Sequence, residues 1–123
     1  MKDNIVNDLP NINPAFKFWL ETDKGYVLGK GTFILLKNIQ EVGSLQEATK
    51  NLEMSYRYAW GLLRKIERNI GHPVVETQKG GRHGGGGTKL TQFAHNLLEI
   101  FERLEEELDV FLNQEWSKLN TIT

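Results

Sequence analysis

Gly43-Ser44-Leu45-Gln46-Glu47-Ala48-Thr49-Lys50-Asn51-Leu52-Glu53-Met54-Ser55-Tyr56-Arg57-Tyr58-Ala59-Trp60-Gly61-Leu62-Leu63 reads as two short helices joined by a tight turn. Ser44 with Glu47 three residues on is a capping box. Leu45, Ala48, Thr49 and Leu52 then share the inner face of the first helix, and Glu53-Met54 makes the turn. Ser55 caps the second helix, whose inner face is Ala59, Leu62, Leu63 and Ile66. A pair this small cannot bury a core alone, so its neighbours must complete one.

Upstream, Thr32 is expected to cap a helix with Phe33, Leu36, Ile39 and Gln40 on one side and Leu35 and Val42 close to it. Gly43 ends that helix where a left-handed residue is needed. Before it, Phe16–Glu21 and Tyr26–Leu28 suit two strands of a hairpin around the turn signal Asp23-Lys24-Gly25. Residues 1–12 are expected to be a flexible tail. Downstream, Asn69–Pro73 closes the helix over 55–68, and Val74–Gln78 and Thr88–Leu90 are partner strands around a glycine-rich loop. Thr91 can cap a long helix from about Gln92 to Trp116. Helix, helix, helix, strand, loop, strand is the order of a winged helix-turn-helix domain. The expected fold is mainly α with small β: a winged helix-turn-helix over residues 13–90 with an N-terminal β-hairpin, then a C-terminal dimerisation helix and tail over 91–123.

The bulk composition narrows the function classes. At 123 residues the chain is one domain by default. It has no cysteine, which excludes disulfides and thiolate metal sites. It has no apolar run of the length a membrane span needs and no apolar signal core at its start, so no membrane association is expected and the location is read as cytoplasmic. The net charge of −1 hides an asymmetry: residues 44–89 carry eight Lys/Arg against four Asp/Glu, and residues 90–123 carry two against seven. A basic middle and an acidic end suggest two surfaces with two jobs, the basic one facing a polyanion.

The second helix of the pair would present its first turn to base edges in a DNA major groove. Tyr56, Arg57, Trp60, Gly61 and Arg64 face away from the inner stripe. Arg57 can pair bidentately with a guanine edge, and Tyr56 and Trp60 can touch thymine methyls or sugars. An aromatic inside a helix is as readily core, so Trp60 has two readings. Ser55 and the amides beside it suit a phosphate. Arg64, Lys65 and Arg68 are phosphate contacts or plain solvated charges. The loop holds six of the chain's twelve glycines between 80 and 87, flanked by Lys79, Arg82, His83 and Lys89 for the DNA backbone or minor groove. It is no nucleotide-binding loop, because Gly87-Thr88-Lys89 has the wrong order for one.

On the long helix Leu97, Phe101, Leu104, Leu108 and Phe111 are spaced 4, 3, 4, 3, and Phe93, Ile100 and Leu112 widen the stripe. The stripe either packs on its own domain or pairs two copies, and paired half-sites favour a homodimer. His72, His83 and His95 have no metal-ligand spacing, and no nucleophile sits in a recognisable turn. No catalytic residue, metal or cofactor is expected, and the chain is not read as an enzyme. Double-stranded DNA and a second copy are the expected partners. The alternatives are a protein–protein interaction module and a small-molecule sensor.

With these residues in hand, the chain resembles the N-terminal DNA-binding domain of the molybdate-responsive transcriptional regulators (ModE-like), related to LysR-type winged helix-turn-helix domains. Leu28-Gly29-Lys30-Gly31, Gly43-Ser44-Leu45, Met54–Trp60 and Lys79–Gly87 with Leu90-Thr91 carry the likeness, over about residues 14–112. The resemblance implies a sequence-specific transcriptional regulator, and Lys30 joins the candidate DNA contacts. Family members commonly have a second alanine where Thr49 stands, and glycines where Glu53 and Ala94 stand. Molybdate-binding modules follow the long helix in full members, and this chain is expected to lack one.

Overall fold

The computed structural model describes residues 12–78 and 87–120. Its elements run β1 (Leu20–Thr22), β2 (Gly25–Leu28), α1 (Lys30–Val42), α2 (Leu45–Asn51), α3 (Tyr56–Ile70), β3 (Val75–Gln78), β4 (Gly87–Leu90) and α4 (Gln92–Asn120). This is the mainly helical, winged helix-turn-helix order expected from the sequence. Two compact units are present: Phe18–Phe101, and the described residues up to Lys17 with those from Glu102 onward.

In the unit of residues 18–101, β1 and β2 form an antiparallel hairpin with Leu20 opposite Leu28 and Thr22 opposite Gly25. The first strand is shorter than the expected Phe16–Glu21, because only its end finds a backbone partner. The hairpin is fastened to the end of α3 through Asn69, whose amide nitrogen donates to the Tyr26 carbonyl at 2.8 Å. The Thr22 hydroxyl donates to the Asn69 carbonyl at 2.9 Å.

Helix α1 starts at Gly29, which has no side-chain cap, rather than at Thr32. Thr32 is buried inside the helix, where its hydroxyl meets the Tyr26 hydroxyl at 3.0 Å. The hairpin thus satisfies the group that was expected to start the helix. Phe33, Leu35, Leu36 and Ile39 are the buried stripe of α1. Gln40 and Val42 are exposed although in phase with the stripe, and Gln40 Nε2 lies 3.1 Å from His95 Nδ1. Gly43 closes α1 with φ 72, a left-handed conformation that costs least at glycine.

Leu45, Ala48 and Thr49 bury the inner face of α2. Its end is a Schellman motif: the Met54 amide donates to the Thr49 carbonyl at 2.9 Å and the Glu53 amide to the Lys50 carbonyl at 3.2 Å. Glu53 takes the left-handed position with φ 53. Ala59, Leu63 and Ile66 of α3 complete the three-helix core. The first turns of α4 close it from another side with Ala94, Leu98 and Phe101. Thr91 caps α4, accepting from the Ala94 amide at 3.1 Å and donating to the Pro73 carbonyl at 2.9 Å.

Candidate nucleic-acid interface

Burial fixes the phase of α3. With Ala59, Leu63 and Ile66 inward, Arg57, Gly61, Lys65 and Arg68 recur every three or four residues on the opposite, exposed side. A side chain built at Gly61 would meet no atom within 4 Å, so the middle of this ridge is a gap between cationic arms. Arg57 and Lys65 form no ion pair with any described carboxylate. Their positive charge is therefore available to a polyanion.

Ser55 caps α3, its hydroxyl accepting from the Tyr58 amide at 3.2 Å. The same turn exposes Tyr56 at 48% and Tyr58 at 61%. Tyr58 was not singled out from the sequence, although it stands next to the inner-face Ala59 and so has to leave the core stripe. Trp60 is half-buried and packs against the core. It therefore takes part of both readings: its ring supports the domain while its edge stays at the surface. Arg64 is not a free phosphate arm, since its guanidinium lies 4.6 Å from the Trp60 ring centroid and 2.8 Å from Glu67 Oε1.

Strands β3 and β4 form the base of the wing, with Val75 opposite Leu90, Glu76 opposite Lys89 and Gln78 opposite Gly87. Val75, Thr88 and Leu90 are buried, and Lys89 is exposed. The base is locked to the helix-turn-helix at the Gly43 corner. The Thr88 amide donates to the Gly43 carbonyl at 2.9 Å, and the Leu45 amide donates to the Thr88 hydroxyl at 3.1 Å. The base of the wing is therefore fastened beside the start of α2. Lys79, Arg82 and His83 lie outside the described residues. Lys30, at the start of α1, has its ammonium 5.3 Å from the Phe33 ring centroid.

The stripe on α4 divides. Phe101 is fully buried, stacked on Phe18 at 4.5 Å and Phe33 at 5.1 Å between centroids. Leu97 packs against the same core. Phe101 is thus used inside the domain, whereas Leu97 is only partly buried there. Leu104, Leu108 and Phe111 are exposed at 40%, 39% and 60%. No helix among the described residues is long and apolar enough to cross a membrane. Among those residues, no three His, Cys, Asp or Glu come together in a group able to hold a metal ion.

No family model matches the chain. Over 104 residues, 85% of its length, the chain is 33% identical to the molybdenum transport protein ModE of Azotobacter vinelandii, covering 38% of that protein. Over 92 residues, 72% of its length, it is 30% identical to the DNA-binding transcriptional dual regulator ModE of Escherichia coli K12, covering 35% of it. Over 71 residues it is 42% identical to the transcriptional regulator ModE of Haemophilus influenzae, covering 28% of it. The chain belongs to the ModE-like family. It spans roughly a third of the length of the curated relatives it matches. Those relatives are named as regulators and as a transport protein, none of them as an enzyme. Within this ModE-like chain, α3 with the β3–β4 base is the surface whose chemistry suits a nucleic acid.

Proposed function

We propose that this ModE-like chain is a cytoplasmic transcriptional regulator that binds double-stranded DNA sequence-specifically as a homodimer. The carrying observation is the outward face of α3. Arg57 and Lys65 stand there without carboxylate partners among the described residues, on either side of the gap at Gly61, on a helix locked by three buried side chains. A rigid helix with a basic ridge and an exposed aromatic first turn fits a major groove. Arg57 reads a base edge, and Ser55 and Lys65 meet phosphates. Lys89 at the base of the wing, with Lys79, Arg82 and His83 beyond it, supplies backbone or minor-groove contacts. Leu104, Leu108 and Phe111 are the apolar face offered to a second copy, which would place two α3 helices on paired half-sites.

The test is a selection from random duplexes, followed by titration of the selected sequence at several salt concentrations. Arg57→Ala is expected to relax one base position, at a cost of about 1–3 kcal/mol. Lys79→Ala with Arg82→Ala is expected to weaken binding on every sequence and flatten the salt slope by roughly one unit per lost contact. Failure of the wild type to enrich any sequence removes this reading and leaves the protein-interaction module and the small-molecule sensor.

A further inference from the structure

The first turn of α3 is joined to the start of the wing by a continuous chain of side chains. Trp60 Nε1 donates to Tyr56 Oη at 2.7 Å, and the two rings meet edge to face with centroids 6.4 Å apart. The Arg64 guanidinium covers the Trp60 ring at 4.6 Å. Arg64 Nη1 donates to Glu67 Oε1 at 2.8 Å. Glu67 Oε2 accepts from the amides of Val74 at 2.8 Å and Val75 at 3.4 Å, immediately before and at the start of β3. The Glu67 side chain is only 11% exposed, whereas that of Arg64 is 58% exposed. The carboxylate is thus an interior anchor, and the guanidinium is a surface group held back by it.

We propose that Trp60, Arg64 and Glu67 form a positioning relay for sequence readout, which aims the Tyr56 hydroxyl at a base edge as a donor and ties the recognition helix to the wing. This rests on the DNA-binding reading above. An indole N–H can only donate, so the Tyr56 oxygen accepts from Trp60 and keeps its own proton for an outside partner. In the major groove the acceptors for that proton are purine N7, guanine O6 and thymine O4, whereas the cytosine edge presents an amino donor. Tyr56 therefore discriminates against cytosine on the strand it touches. Arg64 lies over the Trp60 ring and fixes the indole in this pose, and Glu67 fixes Arg64. Because the same carboxylate also holds Val74 and Val75, the helix and the start of β3 are held in a set relation.

The experiment compares the full wild-type chain with Trp60→Phe, Tyr56→Phe, the double variant of these two, and Glu67→Gln. Each is put through selection from random duplexes and through titration against the wild-type-selected duplex at several salt concentrations. Trp60→Phe keeps the ring under Arg64 and removes only the indole donor. It is expected to lose the same base preference that Tyr56→Phe loses, with affinity falling about three- to tenfold. The double variant is expected to be no weaker than either single one. Glu67→Gln releases Arg64 to a phosphate, so the salt slope should steepen by roughly one unit while the same base preference weakens. Preferences unchanged from wild type, or lost at different positions in the two aromatic variants, overturn the relay. So does an unchanged salt slope in Glu67→Gln. Should Trp60→Phe fail to fold, Tyr56→Phe decides, because it removes one surface oxygen: retention of every wild-type base preference overturns the proposal. If the wild type enriches no sequence, the DNA-binding reading fails. If it enriches one that all the variants share, only the relay fails.

Discussion

Leu97 and Phe101 stand on the same seam of α4 as Leu104, Leu108 and Phe111, with one spacing throughout, yet the two stretches are used differently. Phe101 is enclosed by Phe18 and Phe33, while Leu104, Leu108 and Phe111 keep 39% or more of their surface exposed. A repeat of about 3.5 residues announces an apolar stripe and says nothing of what covers it. What covers Phe101 comes from the β1–β2 region and from α1, both remote in sequence. The stripe is one object in the sequence and two in the folded chain.

The strongest way to break this contrast is Phe101→Ala. Truncating a fully buried phenylalanine is expected to lower stability by about 3–5 kcal/mol, read as a drop in the urea midpoint at constant slope. A loss below about 1 kcal/mol would mean that the two stretches do not differ. Leu104→Ala with Leu108→Ala is expected to act instead on assembly, weakening association by up to about 2 kcal/mol per leucine, because each is already partly buried. Sedimentation should show a shift from dimer toward monomer, together with weaker DNA binding and no change of base preference. A wild type that sediments as a monomer at tens of micromolar would remove the dimer proposal.

The same contrast between committed and open positions holds for two glutamates. Glu67 is enclosed and serves Arg64 and two backbone amides, whereas Glu53 is exposed on a strained turn. Glu67→Ala leaves two amides unpaired and is expected to cost about 1–3 kcal/mol by denaturant unfolding. Glu53→Gly removes the left-handed strain at a Schellman position and is expected to stabilise by up to about 1 kcal/mol, while Glu53→Val destabilises. If the two substitutions at Glu53 have equal effects, the turn is not held at positive φ in solution.

Much of the fold was legible because it is encoded locally. Ser44, Ser55 and Thr91 cap helices through contacts three residues long, and Gly43 stops α1 through its own backbone freedom. The outward phase of α3 followed from Ala59, Leu62, Leu63 and Ile66, so Tyr56, Arg57, Trp60, Gly61 and Arg64 could be named as a surface. Where the reading failed, a partner distant in sequence intervened. Thr32 has the chemistry of a cap, but Tyr26 takes its hydroxyl, and α1 begins at Gly29 instead. Arg64 sits three residues before Glu67, a spacing that signals a pair, but its stacking on Trp60 depends on how deeply that ring enters the core.

The sequence by itself determined the order of elements, the capped starts of α2, α3 and α4, the basic face of α3 and the existence of an apolar stripe on α4. These rest on spacing, capping and side-chain charge, which act over a few residues. Only the tertiary structure decided that Phe101 belongs to the core, that Thr88 locks the wing base to the Gly43 corner, and that Glu67 joins α3 to β3. Each of those depends on which buried polar or apolar group is brought against another by the packing of separate elements, and a one-dimensional pattern carries no record of that meeting.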